Sequence, residues 1–137
     1  MFRLDGKVVF VSGCGSVAPG WGNGKAISVL FARQGATIFG VDLNLDAAKE
    51  TQRIIEGEGG TCAVASGDVT DSGQVDALVA DCLERFGRID VLVNNVGKWE
   101  PAIAGEMSEE LWDAQIDVNL KSAFLCCRAI LPVMEKQ

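Results

Sequence analysis

Lys7-Val8-Val9-Phe10-Val11-Ser12-Gly13-Cys14-Gly15-Ser16-Val17-Ala18-Pro19-Gly20-Trp21-Gly22-Asn23-Gly24-Lys25-Ala26 is the stretch that decides the fold. Residues 7–11 are almost wholly apolar, as a parallel strand covered on both faces requires. A glycine-rich turn follows, and then residues 25–34 carry helical spacing at Ile27, Leu30 and Phe31, with Gly35 placed to end the helix. Glycines between a strand and a helix let the backbone turn sharply. They also let a pyrophosphate approach main-chain N–H groups at the helix N-terminus. Gly13, Ser16, Gly22, Asn23 and Gly24 are therefore candidate phosphate-side contacts.

The next strand supports this reading. Residues 36–41 (A-T-I-F-G-V) end at Asp42, with Leu43 beside it. A carboxylate at this place can accept hydrogen bonds from both hydroxyls of an adenosine ribose, and it would repel a 2′-phosphate. No Lys or Arg lies in residues 43–48 to reverse that preference, so NAD is expected over NADP.

Further along the chain, Asn44 can cap a helix over 45–56 that Gly57 would terminate. Residues 61–65 read as a third, weaker strand. Asp71 begins another helix with Gln74 placed to complete a capping box, and Val75, Leu78, Val79, Cys82 and Phe86 form its buried stripe up to Gly87. Residues 89–93 (I-D-V-L-V) are the fourth strand. Ser108 can cap a long last helix, whose Glu109 and Glu110 suit the positive end of the helix dipole. Trp112, Ile116, Leu120, Ala123, Cys127, Ile130 and Met134 recur as one apolar face, and Pro132 is expected to kink or end the helix near Leu131. The order βαβαβαβα predicts an α/β fold, a parallel sheet with helices on both faces and right-handed crossovers.

Bulk properties bound the function. The 137 residues suffice for one domain, 1–137, and 48% apolar with 23% charged residues reads as globular. The net charge of −7 argues against nucleic-acid or anionic-membrane partners, which select clustered Lys and Arg. No apolar run reaches the length of a membrane span, and Met1-Phe2-Arg3-Leu4-Asp5-Gly6-Lys7 shows no apolar leader, so a cytoplasmic protein is expected. Five cysteines without a C-x-x-C pair read as free thiols. There is no histidine, which removes the commonest metal ligand and general base, so no metal site is expected.

Four segments together resemble the short-chain dehydrogenases/reductases. Ser12-Gly13 and Gly22-Asn23-Gly24 resemble the two ends of that family's T-G-x-x-x-G-x-G, with Ser for Thr. Gly67-Asp68-Val69-Thr70 resembles its Asp-Val pair beside the adenine ring. Val93-Asn94-Asn95-Val96-Gly97 resembles its N-N-A-G, with Val for Ala. Asp117-Val118-Asn119-Leu120 falls where the family keeps a catalytic-site asparagine. The resemblance implies a partial Rossmann fold with a parallel sheet of order 3-2-1-4, and NAD-dependent hydride transfer between the nicotinamide and a carbonyl or alcohol carbon. It also implies cofactor contacts at Asp68, Val69, Asn95, Val96 and Gly97. For Asn119 it implies a catalytic role: keeping the helix geometry and a water that relays protons to a lysine. The family's Ser and Tyr-x-x-x-Lys lie beyond the region that ends at Gln137, and the chain has no Tyr. The expectation is a C-terminally incomplete NAD(P)-binding domain, with a small-molecule substrate only in a longer form and a homo-oligomer formed through the last helix. Residues between Gly13 and Gly22, including Pro19 and Trp21, are additional to the family pattern. They either wrap the pyrophosphate, with Trp21 over the ribose, or lengthen a surface loop. A non-catalytic dinucleotide-binding or interaction module is the alternative, whereas a methyltransferase using S-adenosylmethionine is disfavoured by N-N-V-G and D-V-N-L.

Overall fold

A computed structural model describes residues 3–137; Met1 and Phe2, part of the opening stretch read above as lacking a leader, lie outside the described residues. Four strands, β1 (Val8–Ser12), β2 (Thr37–Asp42), β3 (Thr61–Ser66) and β4 (Val91–Asn94), form one sheet in the order β3-β2-β1-β4. Every pairing is parallel, with Phe10 opposite Phe39 on one side and Leu92 on the other. Helices α1 (Asn23–Arg33), α2 (Leu45–Gly57), α3 (Ser72–Phe86), α4 (Glu109–Ile116) and α5 (Ser122–Met134) complete the chain, and a π-helical turn, Asp117–Lys121, joins the last two.

The strand period of two divides the core into two layers. Val9, Val11 and Ile38 pack with Val29 of α1 and with Ala48 and Ile55 of α2. Val8, Phe10, Phe39 and Val41 pack on the opposite face with Val75, Leu78, Val79 and Cys82 of α3 and with Leu125, Cys126 and Ile130 of α5. All of β1 is buried, which is why its sequence is a continuous apolar run rather than an alternating one. The caps expected at Asn44, Asp71 and Ser108 are present: each side chain accepts from an amide in its helix's first turn. The capping box is only half made, because Gln74 Oε1 accepts from Asp68 N–H (2.9 Å) rather than from Asp71.

Three expectations are corrected. The fourth strand runs over Val91–Asn94, not 89–93, because the Ile89 backbone is claimed on both sides by the Gln137 amide: its N–H donates to Oε1 (3.0 Å) and its carbonyl accepts from Nε2 (2.8 Å). Pro132 does not end α5, which continues to Met134. The Glu135 N–H still reaches the Leu131 carbonyl, and half-buried Val133 and Met134 pack the last turn on the core. The apolar face from Trp112 to Met134 packs only in part: Ile130 is buried and Met134 lies against the core, while Trp112, Ile116 and Leu120 are exposed. No residue of α4 is buried, and Trp112 and Leu120 are largely exposed, whereas Ser122, Leu125, Cys126 and Ile130 face the sheet. Between the two helices the Ser122 N–H bonds the Asp117 carbonyl, five residues back instead of four. That extra residue shifts the helical phase, and α5 also seats Leu125 and Cys126, outside the spacing counted from Trp112, on the sheet.

Candidate functional site

Parallel strands bring all four C-terminal ends to one edge of the sheet. After β1 the chain passes through α1 to β2 on one side, while β4 lies on the other, so the connections diverge above β1 and leave a crevice there. A cleft of about 690 Å³ occupies that place. Gly13, Ser16, Gly22, Asn23, Gly24, Asp42, Leu43, Asp68, Val69, Asn95, Val96 and Gly97 all line it, so the loop, acidic and β4 motifs converge from four separate segments.

The first wall is the glycine loop. Gly13 turns the chain at φ +71°, and its N–H and that of Cys14 both donate to the Val41 carbonyl (2.7 and 3.0 Å), tying the loop to the end of β2. A Cβ on Gly24 would fall on the Gly13 carbonyl oxygen, so α1 can start this close to β1 only because residue 24 is glycine. The N-cap of α1, Gly22, supplies no side-chain bond, in contrast to Asn44, Asp71 and Ser108 at the other loop-to-helix starts. The first turn of α1 therefore presents uncapped amides beside the cleft, at the positive end of the helix dipole.

The second wall holds the carboxylates. Asp42 Oδ2 accepts from the Gly15 N–H (2.9 Å) and Oδ1 from the Asn44 N–H (3.0 Å). Each carboxylate oxygen has a second lone pair, so acceptor capacity remains for a ligand hydroxyl. Asp68 Oδ1 accepts from both the N–H and the hydroxyl of Thr70 (2.8 and 2.7 Å), which fixes the turn after β3 over buried Val69.

The third wall follows β4. Ser12 Oγ donates to the Val93 carbonyl (3.3 Å) and accepts from the Asn95 N–H (3.2 Å), while Asn95 Nδ2 donates to the Gly13 carbonyl (2.8 Å). Ser12 and Asn95 thus stitch the turn after β4 to the turn after β1. Asn119 does not line the cleft. It clamps the backbone of Lys98: Oδ1 accepts from the Lys98 N–H (3.1 Å) and Nδ2 donates to the Lys98 carbonyl (2.7 Å). The same Nδ2 donates to the Gln115 carbonyl (2.9 Å), and Ser122 Oγ donates to that of Val118 (2.7 Å), so side chains satisfy carbonyls around the π-helical turn.

Sequence reasoning missed other residues that line the cleft, among them Gly15, Asn44, Thr70 and Lys98. Gly15 and Asn44 were legible as neighbours of named residues. Lys98, which supplies the one cation among the lining residues, directly follows Gly97 of the β4 motif and was legible in the same way. Trp21 is 61% exposed and is not part of the lining; Ser16 and Val17 are the parts of the additional loop that reach the cleft. The five cysteines are free. Burial and the neighbouring Asp42 carboxylate push the Cys14 thiol far up, and burial pushes Cys82 to about 12, so neither is a thiolate nucleophile. Among the described residues no group of three or more His, Cys, Asp or Glu side chains is placed to hold a metal ion, and no helix is long and apolar enough to cross a membrane.

Comparison with known proteins places this architecture. The family described as short chain dehydrogenase matches residues 7–137. The 3-oxoacyl-[acyl-carrier-protein] reductase of Thermotoga maritima is 39% identical over 135 residues, covering 98% of this chain and 53% of that protein. The D-threitol dehydrogenase of Mycolicibacterium smegmatis is 40% identical over 129 residues, covering 94% and 48%. Among solved structures, a short-chain dehydrogenase/reductase of Burkholderia xenovorans superposes with a TM-score of 0.95 at 47% identity, over 98% of this chain and 54% of that one. A hydroxysteroid dehydrogenase of Escherichia coli gives 0.90 at 32%, over 98% and 55%. The chain spans about half the length of the relatives it matches, and the family match over residues 7–137 shows that it belongs to the short-chain dehydrogenase family.

Proposed function

We propose that this chain binds a nicotinamide dinucleotide across the C-terminal edge of its sheet, NAD in preference to NADP, as the cofactor-holding part of an oxidoreductase. The observation that carries this reading is the uncapped start of α1 facing the same cleft as Asp42. The residues present fit such a group. Glycine at 24 lets α1 start against the Gly13 carbonyl at the cleft wall, unclaimed amides suit a pyrophosphate, and Asp42 keeps free lone pairs for ribose hydroxyls. When bound, the nicotinamide supplies hydride transfer to or from a carbonyl or alcohol carbon. The chain's own part is to bind and orient. Asn119 serves as a positioning residue that holds the Lys98 backbone beside the cleft. The substrate, a small molecule, is one for a full-length form, and the 137 residues form one domain.

Two further parts of the reading follow from surface and thiols. The exposed apolar side chains of α4 and α5 support a homo-oligomer through this helical region. Free cysteines at every position suit a reducing compartment, the cytoplasm.

Calorimetric titration with NADH and NADPH tests the cofactor assignment. NADH is expected to bind more tightly, and Asp42→Ala is expected to lose about 1.5–3 kcal/mol of NADH affinity, the range for hydrogen bonds to a charged group. Equal affinity of the unaltered chain for both cofactors would refute the NAD preference. A non-catalytic dinucleotide-binding module shares this site and differs only in turnover, compared between the 137-residue chain and a full-length form.

A further inference from the structure

The loop over 16–22 closes on a single carbonyl. Ser16 Oγ donates to the Gly20 carbonyl (3.3 Å) and accepts from the Gly22 N–H (2.7 Å). The Gly20 carbonyl also accepts from Lys25 Nζ (2.8 Å), and the same ammonium donates to Glu50 Oε1 on α2 (2.7 Å). Gly20 sits at φ +110°, a conformation that strains any residue with a side chain, so glycine is needed to present that oxygen.

Lys25 is in an unfavourable place on two counts. Its side chain is only 2% exposed, and a buried ammonium is costly unless its donors are satisfied. It also lies in the first turn of α1, at the positive end of the helix dipole, where a cation is disfavoured. Glu50 answers the charge from a half-exposed position. The Gly20 carbonyl answers the hydrogen bonding, and that contact joins the ammonium to the loop rather than to the cleft, which Lys25 does not line. The loop in turn contributes Ser16, Val17 and Gly22 to the cleft wall next to the uncapped amides of α1.

We propose that Lys25, anchored on Glu50, is a positioning residue that locks the 16–22 loop through the Gly20 carbonyl and thereby sets the affinity for the phosphate-bearing part of a dinucleotide. This inference rests on the dinucleotide reading above. A loop already ordered in the free protein loses less conformational freedom when ligand binds, so the lock acts as pre-organisation. The adenosine end meets Asp42 and Asp68 at the ends of β2 and β3, and does not depend on the lock.

The test compares the unaltered chain with Lys25→Met, which keeps length and removes the charge. Residue-resolved amide exchange by NMR, without ligand, reads the lock at the Gly22 N–H. Titrations with NADH and with adenosine read its consequence. Gly22 exchange is expected to rise at least about tenfold while the amides of β1 keep their protection, and NADH affinity to fall about tenfold with adenosine changed by less than about twofold. Unchanged Gly22 exchange overturns the lock whatever the ligand does. Faster exchange with unchanged NADH affinity overturns its link to the cofactor. Equal losses for NADH and adenosine, with β1 protection reduced, show a general structural role and also overturn it. An unaltered chain that fails to bind NADH while Gly22 responds to Lys25→Met rejects the dinucleotide reading and the cofactor half of this inference, and leaves the lock standing. Should Lys25→Met not fold, Glu50→Gln, half-exposed on α2 and outside the cleft, removes the anchor of the Lys25 ammonium, and shifts in the same direction are expected.

Discussion

At the residue scale, glycines that look alike in the sequence differ in what surrounds them. Gly24 faces the Gly13 carbonyl oxygen, main chain against main chain, so neither partner can move aside for a methyl group. Gly24→Ala is expected to cost at least about 3 kcal/mol, at or beyond the usual range for overpacking. Gly73, in the first turn of α3, has a helical backbone and only ordinary contact 3.5 Å from Asp71 Oδ1. Gly73→Ala is expected to stabilise by about 0.4–1 kcal/mol, through the reduced freedom of the unfolded chain. Urea unfolding of the two variants beside the unaltered protein checks both, and a similar midpoint shift for the pair would contradict this account of the loop. Cys14 follows the same logic. Its thiol occupies the space a Cβ on Gly40 would need, so its cysteine is read as packing, not chemistry.

At the element scale, the entry to β4 depends on Asp90 more than on strand propensity. Its carboxylate accepts from the Val8 N–H (2.9 Å), from Arg88 Nε (2.8 Å) and from Lys7 Nζ (3.3 Å), with its side chain 8% exposed. The Arg88 guanidinium, aided by the Val8 N–H and Lys7 and opposed by desolvation, lowers its pKa from the ordinary 3.8 to about 2. The folded state therefore releases this proton more readily than the unfolded one. The resulting stability is fully present above about pH 4 and disappears as pH falls through about 2. With the half-exposed cations screened by solvent, the contribution is about 1–2 kcal/mol. Asp90→Asn is expected to unfold at lower urea concentration at pH 7, and the gap from the unaltered protein should close between pH 4 and pH 2. A gap that persists unchanged at pH 2 would place the effect elsewhere. The π-helical turn is the other element-scale feature: Asn119 and Ser122 supply side-chain donors to carbonyls there, and Asn119 joins it to the loop after β4.

At the scale of the whole molecule, two surfaces stand open. β4 pairs with β1 on one edge and with no other described strand, and Trp112, Leu120, Phe124 and Leu131 are each at least half exposed on or beside the last helices. Unpaired strand edges and contiguous exposed apolar side chains favour association. A polypeptide of these 137 residues is expected to sediment as concentration-dependent oligomers, and Leu120→Lys with Phe124→Lys should shift it toward monomer. A single monomeric species at high micromolar concentration, in the unaltered chain, would reject this. The same polypeptide contains neither Tyr nor His. Without a positioned acid or base of those types, proton transfer forgoes roughly 10²–10⁴-fold. NADH oxidation against ketones and aldehydes is expected to show no turnover. Activity that co-purifies with the chain would show an acid/base group elsewhere in it.

The sequence by itself determined the βα alternation and the parallel sheet, and its family resemblance implied the order β3-β2-β1-β4 and the segments that meet at the cleft. The reason is local: apolar runs, helix caps at Asn44, Asp71 and Ser108, and a turning glycine at Gly13 act on their immediate neighbours, and right-handed crossovers leave little freedom in joining them. Only the tertiary structure decided which face of the last helices packs, where β4 begins and what Lys25 does. Each of these depends on a partner distant in sequence or on a change of helical period. The π-helical turn shifted the helical phase so that Leu125 and Cys126 joined Ile130 on the sheet, the Gln137 amide reached 48 residues back to claim Ile89, and Glu50, 25 residues on, met the buried ammonium of Lys25. Periodicity and spacing carry no record of such meetings, because they arise from how the elements pack and not from the preferences of any one of them.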